Sequence, residues 1–214
     1  MKILNLYAGI GGNRKLWSDE HEVTAVESNP EIAKIYKDYF PNDNVIVGDA
    51  HEYLLNHFQK FDFIWSSPPC PTHSRVRKSL AYRRNKDGEL YLQNKPVFPS
   101  MILYEEIIFL DNYFKGLYVI ENVSPYYEPL IQPQKISRHC FWANFKISNI
   151  DIKGGSHQTS IKEMEEHKGF KISHYKISHR KDTILRNCVL PKLGLHILES
   201  AFNKPNTHLD VKEK

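Results

Sequence analysis

The chain is poor in cysteine and has no long apolar run, and each shortage removes a class of protein. Only Cys70, Cys140 and Cys188 occur in 214 residues. An odd number of widely spaced cysteines with no CxxC pair excludes a disulfide framework and a cysteine-based zinc site. The expected setting is a reducing cytoplasm. Eleven histidines show no metal-ligand spacing, so no metal is expected. No stretch reaches the roughly 18 apolar residues of a membrane span, so no membrane partner is expected. The first residues, Met1-Lys2-Ile3-Leu4-Asn5-Leu6, turn polar too soon for a signal peptide and read as a strand. Net charge is also small, +4, and does not by itself mark a nucleic-acid binder. What is present, at 41% hydrophobic residues, is an ordinary globular composition long enough for one domain.

Along the chain, strands alternate with helices. Strands are expected over 2–7, 22–27, 45–47, 61–65 and 117–120, and helices over 30–40, 51–58, 101–114 and 191–202. Pro30 suits a first helical turn. This order predicts an α/β fold with a doubly wound, mostly parallel sheet. Beyond about residue 145 the pattern weakens. Lys171–Arg180 nearly repeats every five residues and reads as a strand pair or a loop.

Three groups of residues carry chemistry. The first is Tyr7-Ala8-Gly9-Ile10-Gly11-Gly12, a glycine-rich turn after a strand, where a ligand can approach the backbone. Glu27 ends the second strand, 16 residues after Gly11, and Asp49 ends the third. Acids there can bind ribose hydroxyls, although an acid before a helix is also a natural N-cap. Together they favour a nucleoside pocket. The GxGG turn lacks the GxGxxG spacing that seats a pyrophosphate, so S-adenosylmethionine fits better than a dinucleotide.

The second group is Cys70 in Ser67-Pro68-Pro69-Cys70-Pro71-Thr72-His73-Ser74, a stiff loop after the fourth strand. Glu121, in Ile120-Glu121-Asn122-Val123, ends the next strand. Adjacent strand ends would bring thiol and carboxyl together. A thiol beside an acid suits addition to a ring whose nitrogen the acid protonates. The third group is a basic run, Arg75, Arg77, Lys78, Arg83, Arg84 and Lys86, with Tyr82 inside it. It reads as a solvated loop or, being next to Cys70, as a phosphate-contacting surface.

These segments together resemble the DNA cytosine-5 methyltransferases, in a compact form like those of phages and their hosts. The likeness rests on LYAGIGG (6–12), VES (26–28), GDAHEY (48–53), SPPCPTHS (67–74), IENV (120–123), RHCFWANF (138–145) and LRNCVLPKLGLHIL (185–198). The resemblance implies an S-adenosylmethionine-dependent, Rossmann-like fold. Tyr7, Ala8, Gly9, Ile10, Gly11, Gly12, Glu27, Asp49, Ala50, Asn187 and Val189 would hold the cofactor. Cys70 would attack C6 of a flipped cytosine in double-stranded DNA, Glu121 would protonate N3, and Arg138 would help hold the base. Ser74, Arg75, Arg77, Lys78, Arg83, Arg84, His179 and Arg180 would contact DNA, with His174 and Tyr175 as further candidates. Arg75, Arg77 or Arg138 would lower the thiol pKa of Cys70. The chain departs from the family at Pro71, where Gln is usual, and at His73, where an aromatic is common.

The resemblance further implies a catalytic core over 1–145, a reduced target-recognition segment over 146–184, a C-terminal helix returning to the core over 185–204 and a polar tail over 205–214. So short a recognition segment points to relaxed specificity, a protein partner or a dimer. Two alternatives stay open: a cytosine-5 enzyme acting on tRNA, and a non-catalytic DNA-binding relic. An amino-methyltransferase is disfavoured, since it would need neither Cys70 nor Glu121.

Overall fold

The computed structural model describes residues 1–95, 97–151 and 160–202, without the side chains of Arg77, Lys78 and Leu80. The expected tail and part of the 146–184 segment lie outside the described residues. In chain order the first half holds β1 (Lys2–Leu6), β2 (Glu22–Glu27), α1 (Pro30–Tyr39), β3 (Asn44–Val47), α2 (Ala50–His57) and β4 (Phe63–Ser66). Then come α3 (Arg75–Leu80), β5 (Tyr82–Arg84), β6 (Leu90–Leu92), α4 (Ile102–Tyr113) and β7 (Leu117–Val123). The chain continues with β8 (Gln134–Ile136), β9 (His139–Ala143), α5 (Ile161–Lys168), α6 (Lys181–Asn187) and α7 (Pro191–Phe202).

Seven strands form one sheet in the order β3-β2-β1-β4-β7-β9-β8. The first five are parallel, and β9 and β8 add antiparallel at the far edge. Parallel strands need both faces covered, and the alternation of side chains achieves it. Ile3, Phe63, Trp65 and Val119 pack on one face with α7, through Leu193 and Ile197. Leu4, Leu6, Ile64, Tyr118 and Ile120 pack on the other against Leu54 of α2 and Leu103, Ile107 and Leu110 of α4. A third cluster joins α1 to the C-terminal part: Ile10, Ile35, Tyr36 and Phe40 meet Met164, Phe170, Ile172 and Leu185.

The strand order reverses at β1. The chain runs outward from β1 to β2 and β3, then returns to place β4 on β1's other side. Ligands of doubly wound sheets bind at such a switch point, outside the carboxyl ends of the strands. Here the loops at that point are Tyr7–Gly12 and Ser67–Ser74.

Three local expectations are corrected. The first strand stops at Leu6, because Tyr7 takes a left-handed backbone, φ 54°, and opens the turn. The fourth strand starts at Phe63 rather than 61, since Asp62 is occupied in tethering the start of β1, its Oδ2 accepting from Lys2 N at 2.7 Å. Lys171–Arg180 forms turns and loop, not a strand pair. Its side chains instead reach α1: Tyr175 Oη donates to Asp38 at 3.0 Å and Ser178 Oγ to Glu31 at 2.7 Å.

Candidate functional site

The glycine turn is shaped for a ligand on one side and for the protein on the other. Gly9 has φ 55°, and a Cβ there would meet nothing within 4 Å, so its outer side faces open space. Gly11, φ 84°, is the reverse case: a Cβ would overlap Phe40 and Tyr36. A Cβ on Gly12 would overlap the Val189 carbonyl and Cys188 Sγ. That contact seats Val189, which is buried, against the turn, while Asn187 at the end of α6 is exposed.

Glu27 closes the turn. Its Oε2 accepts from Gly9 N at 3.0 Å and its Oε1 from Asn29 N at 2.9 Å. Ionised carboxylate oxygens have about four acceptor positions, so room remains for hydroxyl donors. Asp49 Oδ1 accepts from Glu52 N at 2.8 Å and caps α2. The N-cap role weighed for Asp49 is therefore present, and the rest of this exposed carboxylate is available to a ligand. Ala50, next to it, is buried. Open space over Gly9, flanked by two acids, fits an uncharged-ribose nucleoside. Buried Arg14 is not free to serve a phosphate, because it is held by Asp43 at 3.0 Å and Asp19 at 2.9 Å.

Beneath the turn lies a buried acid that sequence reasoning missed. Glu106 on α4 has no solvent exposure. It accepts from Ser66 Oγ at 2.5 Å and Tyr7 Oη at 2.7 Å, and pairs with His51 Nδ1 at 3.2 Å. One carboxyl thus ties together the ends of β1 and β4 and the start of α2. Burial, then Glu106, pushes the Tyr7 phenol far above its usual value. The sequence signal is that Glu106, of the three acids in α4, shares the helix face of Leu103, Ile107 and Leu110.

On the other side of the switch point, β4 and β7 pair in parallel, with Ser66 opposite Ile120. Their following loops are laced together. Asn122 Nδ2 donates to the Pro68 carbonyl at 2.9 Å, Tyr126 N donates to the His73 carbonyl at 3.1 Å, and Ser74 bridges Pro125. This lacing brings Cys70 into the field of Glu121. Cys70 is half-buried. Burial, then the Glu121 charge, pushes its thiol above the ordinary value. The expectation that arginines lower it is corrected: among the described residues the groups that act on the thiol are Glu121 and the backbone, and burial outweighs both.

Arg138 lies exposed in the turn between β8 and β9, and the group that meets Glu121 is its neighbour His139, Nδ1 to Oε1 at 2.6 Å. His73 is buried, with Nδ1 on Tyr127 Oη at 2.6 Å and Nε2 without a partner among the described residues. Among the described residues no cluster could hold a metal ion.

The basic run is split. Arg75 begins α3, and the side chains of Arg77 and Lys78 lie outside the described residues. Ser74 Oγ accepts from Val76 N at 3.2 Å. Arg83 and Arg84 sit on the β5–β6 hairpin, exposed on both faces, where Arg83 Nε donates to Gln93 at 2.7 Å and Arg84 to the Gly88 carbonyl at 2.6 Å. His179 and Arg180 do not join them. His179 lies against Asn29 Nδ2 at 3.1 Å, beside α1, and Arg180 pairs with Asp182 at 2.8 Å. His174 stacks on Tyr175 in the same loop, with ring centroids 4.3 Å apart.

A glycine turn with two acids thus lies on one side of the switch point, and a thiol in the field of a carboxyl on the other. Residues 1–95 match the C-5 cytosine-specific DNA methylase family. Cytosine-5 methylases also appear among individual relatives. A tRNA (cytosine(38)-C(5))-methyltransferase of Spodoptera frugiperda is 35% identical over 85 residues, 37% of this chain and 26% of that protein. The Mus musculus enzyme of the same name is 32% identical over 82 residues, 36% of this chain and 20% of its own length. A solved structure of Spodoptera frugiperda DNMT2 is 27% identical, covering 57% of this chain and 35% of that one, with a TM-score of 0.36. The matched segment thus spans about a quarter of the curated relatives' length. A cytosine-5 methylase takes its methyl group from S-adenosylmethionine, and the open glycine turn with Glu27 and Asp49 fits that cofactor.

Proposed function

We propose that this protein transfers a methyl group from S-adenosylmethionine to C5 of cytosine in DNA, with Cys70 as nucleophile and Glu121 as acid. One observation carries the reading: Cys70, in the loop after β4, lies in the field of Glu121 within the adjacent β7, and the Asn122–Pro68 hydrogen bond joins the two segments.

Cytosine C5 is a poor nucleophile until C6 is substituted. Cys70 Sγ forms a bond to C6, and the ring's electrons move towards N3, which takes the proton of Glu121. C5 then carries enamine character. S-adenosylmethionine, when bound over the glycine turn by Glu27 and Asp49, supplies the electrophilic methyl group. Loss of the C5 proton to water, breaking of the Cys70–C6 bond and return of the N3 proton to Glu121 restore the aromatic ring, and the departing thiolate takes up a proton from water. Because the thiol is pushed up in the free protein, the thiolate forms only as the base enters and Glu121 is occupied. A base must leave its stack to reach Cys70, at a cost of a few kcal/mol. Exposed Arg75, Arg83 and Arg84, with Tyr82, are the surface offered to phosphates and bases near it.

A second reading has its own support. The curated relatives are named as tRNA enzymes, and a flipped cytosine in a tRNA loop asks the same chemistry of Cys70 and Glu121. Transfer of labelled methyl groups to duplex DNA and to tRNA, side by side, decides between them. Labelled DNA supports the first reading, labelled tRNA alone replaces it with the second, and no label on either refutes both.

A further inference from the structure

Among the described residues, His139 is the side chain that holds the carboxyl of Glu121. β9 pairs antiparallel with β7, placing His139 opposite Val123 and Phe141 opposite Glu121. His139 and Glu121 therefore share one face, one diagonal step apart, where cross-strand side chains meet. At 2.6 Å a proton lies between Nδ1 and Oε1. Both side chains are largely shielded, at 16% and 11% exposure. Among the described residues nothing donates to the second oxygen, Oε2.

We propose that His139 is a positioning residue for the reaction: its Nδ1 fixes Oε1 of Glu121 and turns Oε2 to the base, where the carboxyl proton passes to N3. This rests on the cytosine-5 reading above. In the step, the Oε2–H bond breaks and N3–H forms. The O–H electron pair stays on the carboxylate, which keeps the Nδ1–H donor at Oε1.

The remaining charges around the pair come from three directions. Cys70, in the loop after β4, and Cys140, on the opposite face of β9, both lie within the field of Glu121. Lys168, at the end of α5, lies within the field of both Glu121 and Arg138, and its Nζ donates to the Cys188 carbonyl. Arg138 in turn reaches His167.

The test compares His139→Asn, which keeps an N–H donor, with His139→Phe, which keeps none. His139→Phe is expected to lower kcat about tenfold with little change in KM for DNA, and His139→Asn to retain most of the wild-type kcat. Cofactor binding, followed by calorimetry, stays unchanged in both. Equal losses in the two variants, a change in KM alone, or loss of cofactor binding overturns the role of His139. Covalent trapping of 5-fluorocytosine DNA by the wild-type protein keeps the outcomes apart. With the adduct present, equal losses remove His139 alone; with neither adduct nor methyl transfer, the underlying reading falls and His139 with it.

Discussion

The two sides of the switch point are built on opposite plans. On the β2–β3 side, the polar groups are satisfied within the protein. Glu27 is bonded to Gly9 and Asn29, Asp49 caps α2, and Arg14 is neutralised by Asp43. The C-terminal part seals this side from behind, through Phe170, Ile172 and Leu185 on α1 and Val189 against Gly12. On the β4–β7 side, the groups are left incomplete. The Cys70 thiol is held protonated by burial and Glu121, and buried His73 Nε2 has no partner among the described residues. The β5–β6 hairpin stands exposed with Leu90, Tyr91 and Leu92, and Phe98 beyond it is 91% exposed. A two-stranded hairpin alone is marginally stable in water, and a concentration of exposed apolar groups marks an interaction surface. On the proposed function, the side that would hold the cofactor is preorganised, and the side that would take the base is completed by what binds it.

That contrast is open to attack in order of effect. The largest expected loss is from Cys70→Ala, which should lower methyl transfer by at least about a thousandfold, as removal of a covalent nucleophile does. Calorimetric binding of S-adenosylmethionine should survive it, because Cys70 belongs to the other side. Glu121→Gln should cost about a hundred- to a thousandfold in kcat with little change in cofactor affinity, the range of a general acid.

Glu27→Ala should invert the pattern. Losing charge-assisted hydrogen bonds of about 1.5–3 kcal/mol weakens S-adenosylmethionine about ten- to a hundredfold, measured by the same calorimetry. If Glu27→Ala leaves cofactor affinity intact, the division into two sides is wrong. A fourth check uses pH. Burial and Glu121 raise the Cys70 thiol, so the thiolate fraction is low at neutral pH and rises only in alkali. Alkylation of Cys70 in the free protein should therefore be slow at neutral pH, and Glu121→Gln should move its rise to lower pH. The smallest effect is expected on the hairpin. Removing Arg83 and Arg84 together should weaken nucleic-acid binding severalfold. It should also flatten the salt dependence by about one unit of slope for each phosphate that is no longer neutralised.

The same contrast explains what was legible in the sequence. β1 to β4, α1, α2 and α4 follow from apolar periodicity and from caps such as Asn29 before Pro30. The cofactor turn could be read because it is local: glycines and strand-end acids lie where the backbone needs them. His139 could not, because its partner is set by the β7–β9 register across 18 residues. Glu106 was hidden likewise, since one of three acids in Ile102–Tyr113 gains meaning only when Tyr7, Ser66 and His51 arrive from three other segments. The hairpin was taken for a basic loop although Asn85-Lys86-Asp87-Gly88 carries a turn signal, Gly88 having φ 83°. With both faces in solvent, its strands lack the alternation that burial imposes. The apolar stretch His139–Ala143 and the capping box at Ser160 and Glu163 were readable signals that went unused.

The most direct test of the account is a trapping experiment on the base side. DNA carrying 5-fluorocytosine is incubated with the protein and S-adenosylmethionine, and the products are digested and mapped by mass spectrometry. The account predicts a denaturation-stable adduct on the peptide containing Cys70, absent in Cys70→Ala. An adduct on any other residue, or none on DNA while tRNA is trapped, would contradict it.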